Sequence, residues 1–498
     1  MATTQVENVQ QFNMLIGSDW RDSAAGERFE SINPYTGTVW ATIPTATSAD
    51  VDAAVTRARE AFEGPWSSMT ATARGRLVRR LGELVAEHAD HLARVETTDN
   101  GKLLKEMSAQ LQAIPGWYEY FGGLADKIEG AVPQETKPNV FAYTRQEPLG
   151  AVAAILSWNS PLLLLANKLA PGLAAGCTFV AKPAVEASAS VLEFAKLFEL
   201  AGFPSGVFNV VTGGAEPGRA LAAHPGVSKI AFTGSTAGGI AVMKSASDHL
   251  ARVTLELGGK SPNIVFDDAD LDSAVNGVVA GIFAAGGQTC VAGSRLLVHR
   301  SLREELLERV IARARTIRMG DPLDLDTEMG PIACLPQLEK VEMYVKSAAE
   351  EGATITIGGK RPEAPDLSDG YFFEPTVLTD VNTEMRAVRE EIFGPVLSVI
   401  PFDDEEEAIR LANDTNYGLA AGIWTENIRR AHRVAHRIKA GTVWINEYRT
   451  VAYNVPFGGF GDSGIGRENG VDAVREYLEP KAIWIKLSSD TRDPFMMG

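Results

Sequence analysis

The chain predicts an α/β protein built on open, doubly wound parallel sheets. Two observations carry that class. From Ala151 to Leu257, short apolar strands alternate with helical stretches. From Lys260 to Glu447 the alternation resumes over a similar length. A third observation fits them: 498 residues hold two or three domains and bury enough surface to need no disulfide or metal staple.

The elements follow in order. Residues 1 to about 45 read as short strands, with turns at Asn33-Pro34 and Thr36-Gly37. A helix capped by Ser48 runs through Phe62. A second is expected from Ala71 to Ala93, with Leu77, Leu81, Leu84, Val85 and Leu92 on one face. A third follows Leu103 and ends at the aromatic cluster Trp117-Tyr118-Tyr120-Phe121. Gly130, Pro133 and Pro138 then interrupt the pattern, and Phe141 to Thr144 alternates like an exposed strand that can pair with another subunit. The first α/β unit has strands near Ala151–Leu156, Thr178–Ala181, Val207–Val211, Lys229–Phe232 and Val253–Leu257. Its helices fall near Pro161–Leu173, Ala187–Ala201 and Thr236–Ser247. The second unit has helices near Leu271–Ala285, Leu302–Ile317, Gln337–Glu351, Glu405–Asn413 and Arg429–Ile438. Its strands fall near Arg295–His299, Ala353–Ile357, Val396–Phe402, Ala421–Thr425 and Thr442–Asn446. A Gly-rich stretch, 456–466, leads to a last strand at Ile483–Leu487.

Composition excludes several function classes. A net charge of −17 disfavours nucleic acid and anionic membrane as partners. Cys177, Cys290 and Cys334 are too few for a disulfide framework and fit a reducing compartment. The polar start, Met1 to Gln11, lacks the apolar core of a secretion signal. The apolar run Leu162–Val180 carries Asn167, Lys168 and Pro171, unlike a membrane span. The expectation is a cytoplasmic protein. His88 and His91, and His432 and His436, have spacings that suit a metal but lack a Glu partner. They read as solvated faces, and no metal site is expected.

The chemistry centres on Ala285-Gly286-Gly287-Gln288-Thr289-Cys290-Val291-Ala292-Gly293. Small residues on both sides let a ligand approach the backbone and would present Cys290 as a nucleophile; a lone cysteine also serves as a small core hydrophobe. Four strand ends of the first unit add further groups. Asn159, in Ser157-Trp158-Asn159-Ser160-Pro161, is an oxyanion donor or a helix cap. Lys182 reaches a ribose or phosphate, or is an ordinary exposed lysine. Thr233-Gly234-Ser235-Thr236 is an anion-binding helix start or a plain turn. Glu256 is a base strengthened by burial between Leu255 and Leu257, or lies on a half-exposed strand. Cys290 follows Glu256 by 34 positions (290 minus 256).

Together these pieces resemble the aldehyde dehydrogenase superfamily from about residue 15 to 487. The matching segments are Trp158-Asn159, Lys182-Pro183, Phe232-Thr233-Gly234-Ser235-Thr236, Glu256-Leu257-Gly258-Gly259-Lys260, Gly287-Gln288-Thr289-Cys290, Glu390-Glu391-Ile392-Phe393-Gly394-Pro395 and Pro456-Phe457-Gly458-Gly459. The resemblance implies NAD(P)-dependent oxidation of an aldehyde to the acid through a Cys290 thioester. Glu256 is then the base and Asn159 the oxyanion donor. Ser157, Trp158, Lys182, Gly234, Ser235, Glu391 and Phe393 line the cofactor. It implies an NAD(P)-binding domain (1–127 and 148–257), a catalytic domain (258–461) and an oligomerisation arm (128–147 and 478–490), hence a homodimer or homotetramer.

Two departures stand out. Val185 occupies the place where NAD-preferring members carry Glu, with Glu186 one position on, so NAD with some NADP use is expected. Ser160 replaces a frequent aromatic. The resemblance walls the substrate with Trp117, Ser160, Leu164, Asn167, Thr289, Val291, Val451 and Phe457. None of these is a cation, which disfavours succinic semialdehyde unless Arg449 points inward. The lack of a dense aromatic cage disfavours a trimethylammonium aldehyde. Bulky or aromatic aldehydes are expected over acetaldehyde. The alternatives are a CoA-acylating relative, which would generally lack Glu256, and a silent protein that keeps the fold.

Overall fold

The computed structural model describes residues 9–134, 137–490, 493 and 495. Most of the polar start (1–8) and positions 135 and 136 of the expected arm lie outside the described residues. Among those described, one sheet has eight strands and another seven. The eight-stranded sheet runs Gly464–Ile465, Arg252–Glu256, Lys229–Thr233, Ala151–Ile155, Thr178–Lys182, Phe208–Val210, Met14–Ile16, Asp19–Arg21. Its five central strands are parallel. From Ala151–Ile155 the chain first adds strands on one side and later on the other. The order therefore reverses between Ala151–Ile155 and Lys229–Thr233, the place where open α/β sheets bind ligands.

The seven-stranded sheet runs Thr354–Ile357, Thr376–Thr379, Val396–Phe402, Arg295–His299, Pro262–Val265, Ala420–Trp424, Thr442–Ile445. Only its first pair is antiparallel. The expected exposed strand is Val140–Pro148, and it pairs antiparallel with Leu478–Lys486.

Several boundaries differ from expectation. The first helix is capped by Thr47, not Ser48: Thr47 Oγ1 accepts from Asp50 N at 3.3 Å and Asp50 Oδ2 from Thr47 N at 2.9 Å. The second helix breaks at His88 into Ala71–Glu87 and Ala89–Asn100. The third is two, Leu104–Ala113 and Pro115–Leu124, because Pro115 has no N–H to continue the ladder. The helix Ala215–Ala222 and the strands Pro262–Val265 and Thr376–Thr379 were not anticipated. Both strands are four residues long and buried throughout, so no alternation marks them.

Candidate active site

A cavity of about 560 Å³ opens at the strand ends beside the reversal point. Ser157, Trp158, Lys182, Gly234 and Ser235 line it together with Val185, Glu186 and Arg219. Ser235 caps the helix Thr236–Ser247, its Oγ accepting from Gly238 N at 3.2 Å. The positive end of that helix therefore faces the cavity. Lys182 is buried at its strand end. Burial pulls its ammonium down to about 8, against the opposing charge of Glu186. Apolar walls from Ala222, Ala241 and Val242 complete the cavity. Glu391 and Phe393 stand apart from it. Glu391 accepts from Gly259 N at 3.0 Å, and Phe393 packs edge-on to Trp158 with ring centroids 5.2 Å apart.

The cysteine loop is held under strain. Ala285, Gly286 and Gly287 have φ of 55°, 59° and 70° in succession. At Gly287 a Cβ would lie 2.1 Å from the Gly394 carbonyl oxygen, so only glycine fits. Ala285 carries a left-handed cost of about 1–2 kcal/mol, and its N–H donates to Glu106 Oε1 at 3.2 Å. Gln288 ties the loop down, accepting from Ala333 N at 2.9 Å and donating to Pro331 O at 3.2 Å. Tyr448 OH donates to Val291 O at 3.0 Å.

Cys290 follows, half-buried. Burial, then Glu391 and Glu256, push its thiol up to about 12; Lys102 opposes them. Asn159 is buried, and its Nδ2 donates to the Gln288 carbonyl at 3.2 Å, two residues before the thiol. Glu256 ends its strand buried, with no protein hydrogen bond to either oxygen. Burial first, then Glu468, raises its carboxyl well above the ordinary range, while Lys168 and Arg467 oppose.

Of the expected pocket wall, Trp117 is buried and donates to Asn469 Oδ1 at 2.8 Å. Asn167 is buried with Oδ1 unpaired. Ser160 and Val291 are buried, and Leu164, Thr289 and Phe457 are partly so. Val451 is 42% exposed.

Three features escaped the sequence. Lys168 and Glu468, both buried, pair at 2.5 Å, and Lys168 also donates to Thr233 Oγ1 at 2.6 Å. The interruption of the Leu162–Val180 run by Lys168 was the available signal. Tyr453 and Tyr120 join Trp117, with centroids 5.5 Å apart for Trp117–Tyr453 and 5.2 Å for Tyr120–Tyr453. Finally, a cation does reach the wall: Lys102 Nζ donates to Ser160 Oγ at 3.3 Å. Nothing in the spacing of Lys102 pointed there.

This arrangement matches known proteins closely. The model of the aldehyde dehydrogenase family matches residues 20–483. A (Z)-2-((N-methylformamido)methylene)-5-hydroxybutyrolactone dehydrogenase of Acinetobacter baylyi is 47% identical over 98% of this chain and 100% of its own. A betaine aldehyde dehydrogenase of Brucella anthropi is 43% identical over 95% of this chain and 97% of its own. The crystal structure of a Staphylococcus aureus betaine aldehyde dehydrogenase in complex with NAD⁺ superposes with a TM-score of 0.96 at 42% identity, covering 97% of this chain and 96% of that one. The chain belongs to the aldehyde dehydrogenase family and is an aldehyde-oxidising oxidoreductase.

Proposed function

We propose that Cys290, Asn159 and Glu256 carry out the oxidation, with NAD⁺ in the cavity at the strand ends. The Cys290 thiolate adds to the aldehyde carbon. The Asn159 amide and the Cys290 N–H stabilise the oxyanion that forms. Bound NAD⁺ accepts the hydride that this carbon expels. The thioester left on Cys290 is hydrolysed by water that gives its proton to Glu256. One observation supports this reading above others: the Asn159 amide bonds to the loop that presents the thiol. The raised carboxyl of Glu256 supports hydrolysis over transfer to CoA. NADH absorbance with an aldehyde is the test. Turnover should vanish in Cys290→Ala and shrink to a single burst in Glu256→Gln; unchanged turnover in Cys290→Ala would overturn the assignment.

The substrate we propose is a bulky aldehyde bearing hydrogen-bonding oxygens. Ser160 and the unpaired Asn167 Oδ1 supply polar partners, and the closely similar butyrolactone dehydrogenase is named for an oxygen-rich compound. The Trp117–Tyr453–Tyr120 cluster removes the argument against a cationic aldehyde. A kcat/KM panel spanning acetaldehyde, benzaldehyde, betaine aldehyde and a hydroxylactone decides the order, and acetaldehyde ranking first refutes it.

We assign residues 1–127 and 148–257 to an NAD(P)-binding domain, 258–461 to a catalytic domain, and 128–147 with 478–490 to a homo-oligomerisation arm. The arm exposes Phe141, Trp484, Ile485 and Leu487, apolar side chains that a second copy would cover. Three unpaired cysteines support a cytoplasmic setting. No described helix is long and apolar enough to cross a membrane.

A further inference from the structure

The segment Asn100 to Glu106 lies outside the machinery assigned above, yet it holds both of its loops. Asn100 Nδ2 donates to Trp158 O at 3.1 Å. Lys102 Nζ donates to Ser160 Oγ at 3.3 Å, and Ser160 Oγ donates to Asn159 O at 2.7 Å. Glu106 Oε1 accepts from the strained Ala285 at 3.2 Å, while its Oε2 is buried without a partner. Gly101, with φ of 75°, packs against Pro331, whose carbonyl accepts from Gln288. Lys102 itself is only 4% exposed. A buried ammonium with one long hydrogen bond is costly to keep, which argues for a task beyond packing.

Resting on the proposed roles of Cys290 and Asn159, we propose that Lys102 is a positioning residue for this site. With Glu106 in the first turn of the helix that follows it, it clamps the Asn159–Ser160 loop against the cysteine loop and keeps a positive charge near the thiol. The charges around it agree. Burial draws the Lys102 ammonium down to about 8; Glu106 and Glu96 oppose that, and Arg449 adds to it. Around Cys290, Glu391 and Glu256 disfavour the thiolate and Lys102 favours it. Removing the Lys102 charge must therefore slow alkylation of the thiol below about pH 8, where the ammonium is charged.

The test uses the full chain with Lys102→Met and Lys102→Arg. Two readouts are iodoacetamide alkylation of Cys290 against pH, with Cys290→Ala as the blank, and kcat and KM separately. Lys102→Met should slow alkylation about tenfold below pH 8, where the wild-type ammonium is charged, and leave it unchanged well above that pH. It should lower kcat about tenfold, short of the ~10²–10³ lost with a whole oxyanion donor, with KM changed by less than about twofold. Lys102→Arg should restore the pH profile, which a merely structural lysine would not require. A wild-type profile and kcat in Lys102→Met overturn the proposal. If that variant fails to fold, Ser160→Ala, which removes both links of the clamp (the acceptor for Lys102 and the donor to Asn159 O), must lower kcat about threefold, and an unchanged kcat overturns it equally. An active Cys290→Ala would instead refute the underlying assignment of the nucleophile.

Discussion

The buried pair Lys168–Glu468 sets the strength of Glu256, and Glu468→Gln measures by how much. Glu468 is the leading charge that raises the Glu256 carboxyl, and Lys168 is the leading one that lowers it. In the native arrangement, the contact at 2.5 Å largely neutralises Lys168. A glutamine keeps an oxygen for Lys168 Nζ but removes the negative charge. Glu256 then loses a like charge and feels an unneutralised ammonium, and both changes favour its ionised form. A group whose carboxyl is held high becomes a base only as pH rises through that value. Lowering it moves the rising limb of thioester hydrolysis to lower pH. Two aligned changes of this kind amount to about 1–2 pH units. The base is also weaker, so the plateau should fall, by less than about tenfold. Deleting the partner outright would leave Lys168 buried and alone, at about 3–5 kcal/mol. That is why the isosteric amide is the variant of choice. Stopped-flow NADH traces from pH 6 to 10 separate the burst from the steady state. An alkaline shift of the steady-state limb, or none, in a folded Glu468→Gln protein would refute the charge coupling.

Three further outcomes are expected. Cys177→Ala and Cys334→Ala should keep substantial activity, because burial holds both thiols up at about 11 and neither lies on the strained loop; steady-state assays beside Cys290→Ala check this. NADP⁺ should be reduced measurably, since Lys182 and Arg219 both line the cavity and position 185 lacks a carboxylate. Arg219→Ala should raise KM for NADP⁺ more than for NAD⁺, and equal changes would deny Arg219 that role. Gly277→Ala should destabilise the fold despite a gain of about 1 kcal/mol in helix propensity. Its Cβ would fall 1.8 Å from Trp424 Cζ2, and Trp424 is pinned by its 2.7 Å bond to Asn263 Oδ1. The overpacking of about 1–3 kcal/mol should dominate and appear as a lower midpoint in urea.

The fold was readable wherever one face of an element is apolar and the other is not. Glu405–Asn413 and Val396–Phe402 match expectation residue for residue, and Ala151–Ile155, Thr178–Lys182 and Lys229–Thr233, whose ends meet the cavity, match to within one residue. Elements failed to show where that contrast is lost. Pro262–Val265 and Thr376–Thr379 are buried on both faces, and the second one follows Pro375, which reads as a turn. The break at His88 has neither Gly nor Pro to mark it. Only the way Ala89–Asn100 packs reveals it.

At the site, the groups that were legible sit beside a local irregularity in the chain: glycines around Cys290, the Trp-Asn-Ser-Pro turn at Asn159, a carboxylate between leucines at Glu256. The groups that tune them come from segments with no such mark. Lys168 is one polar residue in an apolar helix, and it meets Glu468 across 300 positions. Lys102 reaches Ser160 across 58. What these residues do depends on which charges surround them after folding, and that follows from tertiary packing alone. Burial, then Glu391 and Glu256, keep the thiol protonated, with Lys102 as the leading group against them. In the same way, Glu468 keeps Glu256 a weak acid, with Lys168 against it. On top of burial, nucleophile and base are thus each poised by carboxylates set against a lysine. In both cases the lysine is anchored by a hydroxyl, Ser160 for Lys102 and Thr233 for Lys168. The sequence displays the two reacting groups, and the folded chain alone displays the charges that set their strength.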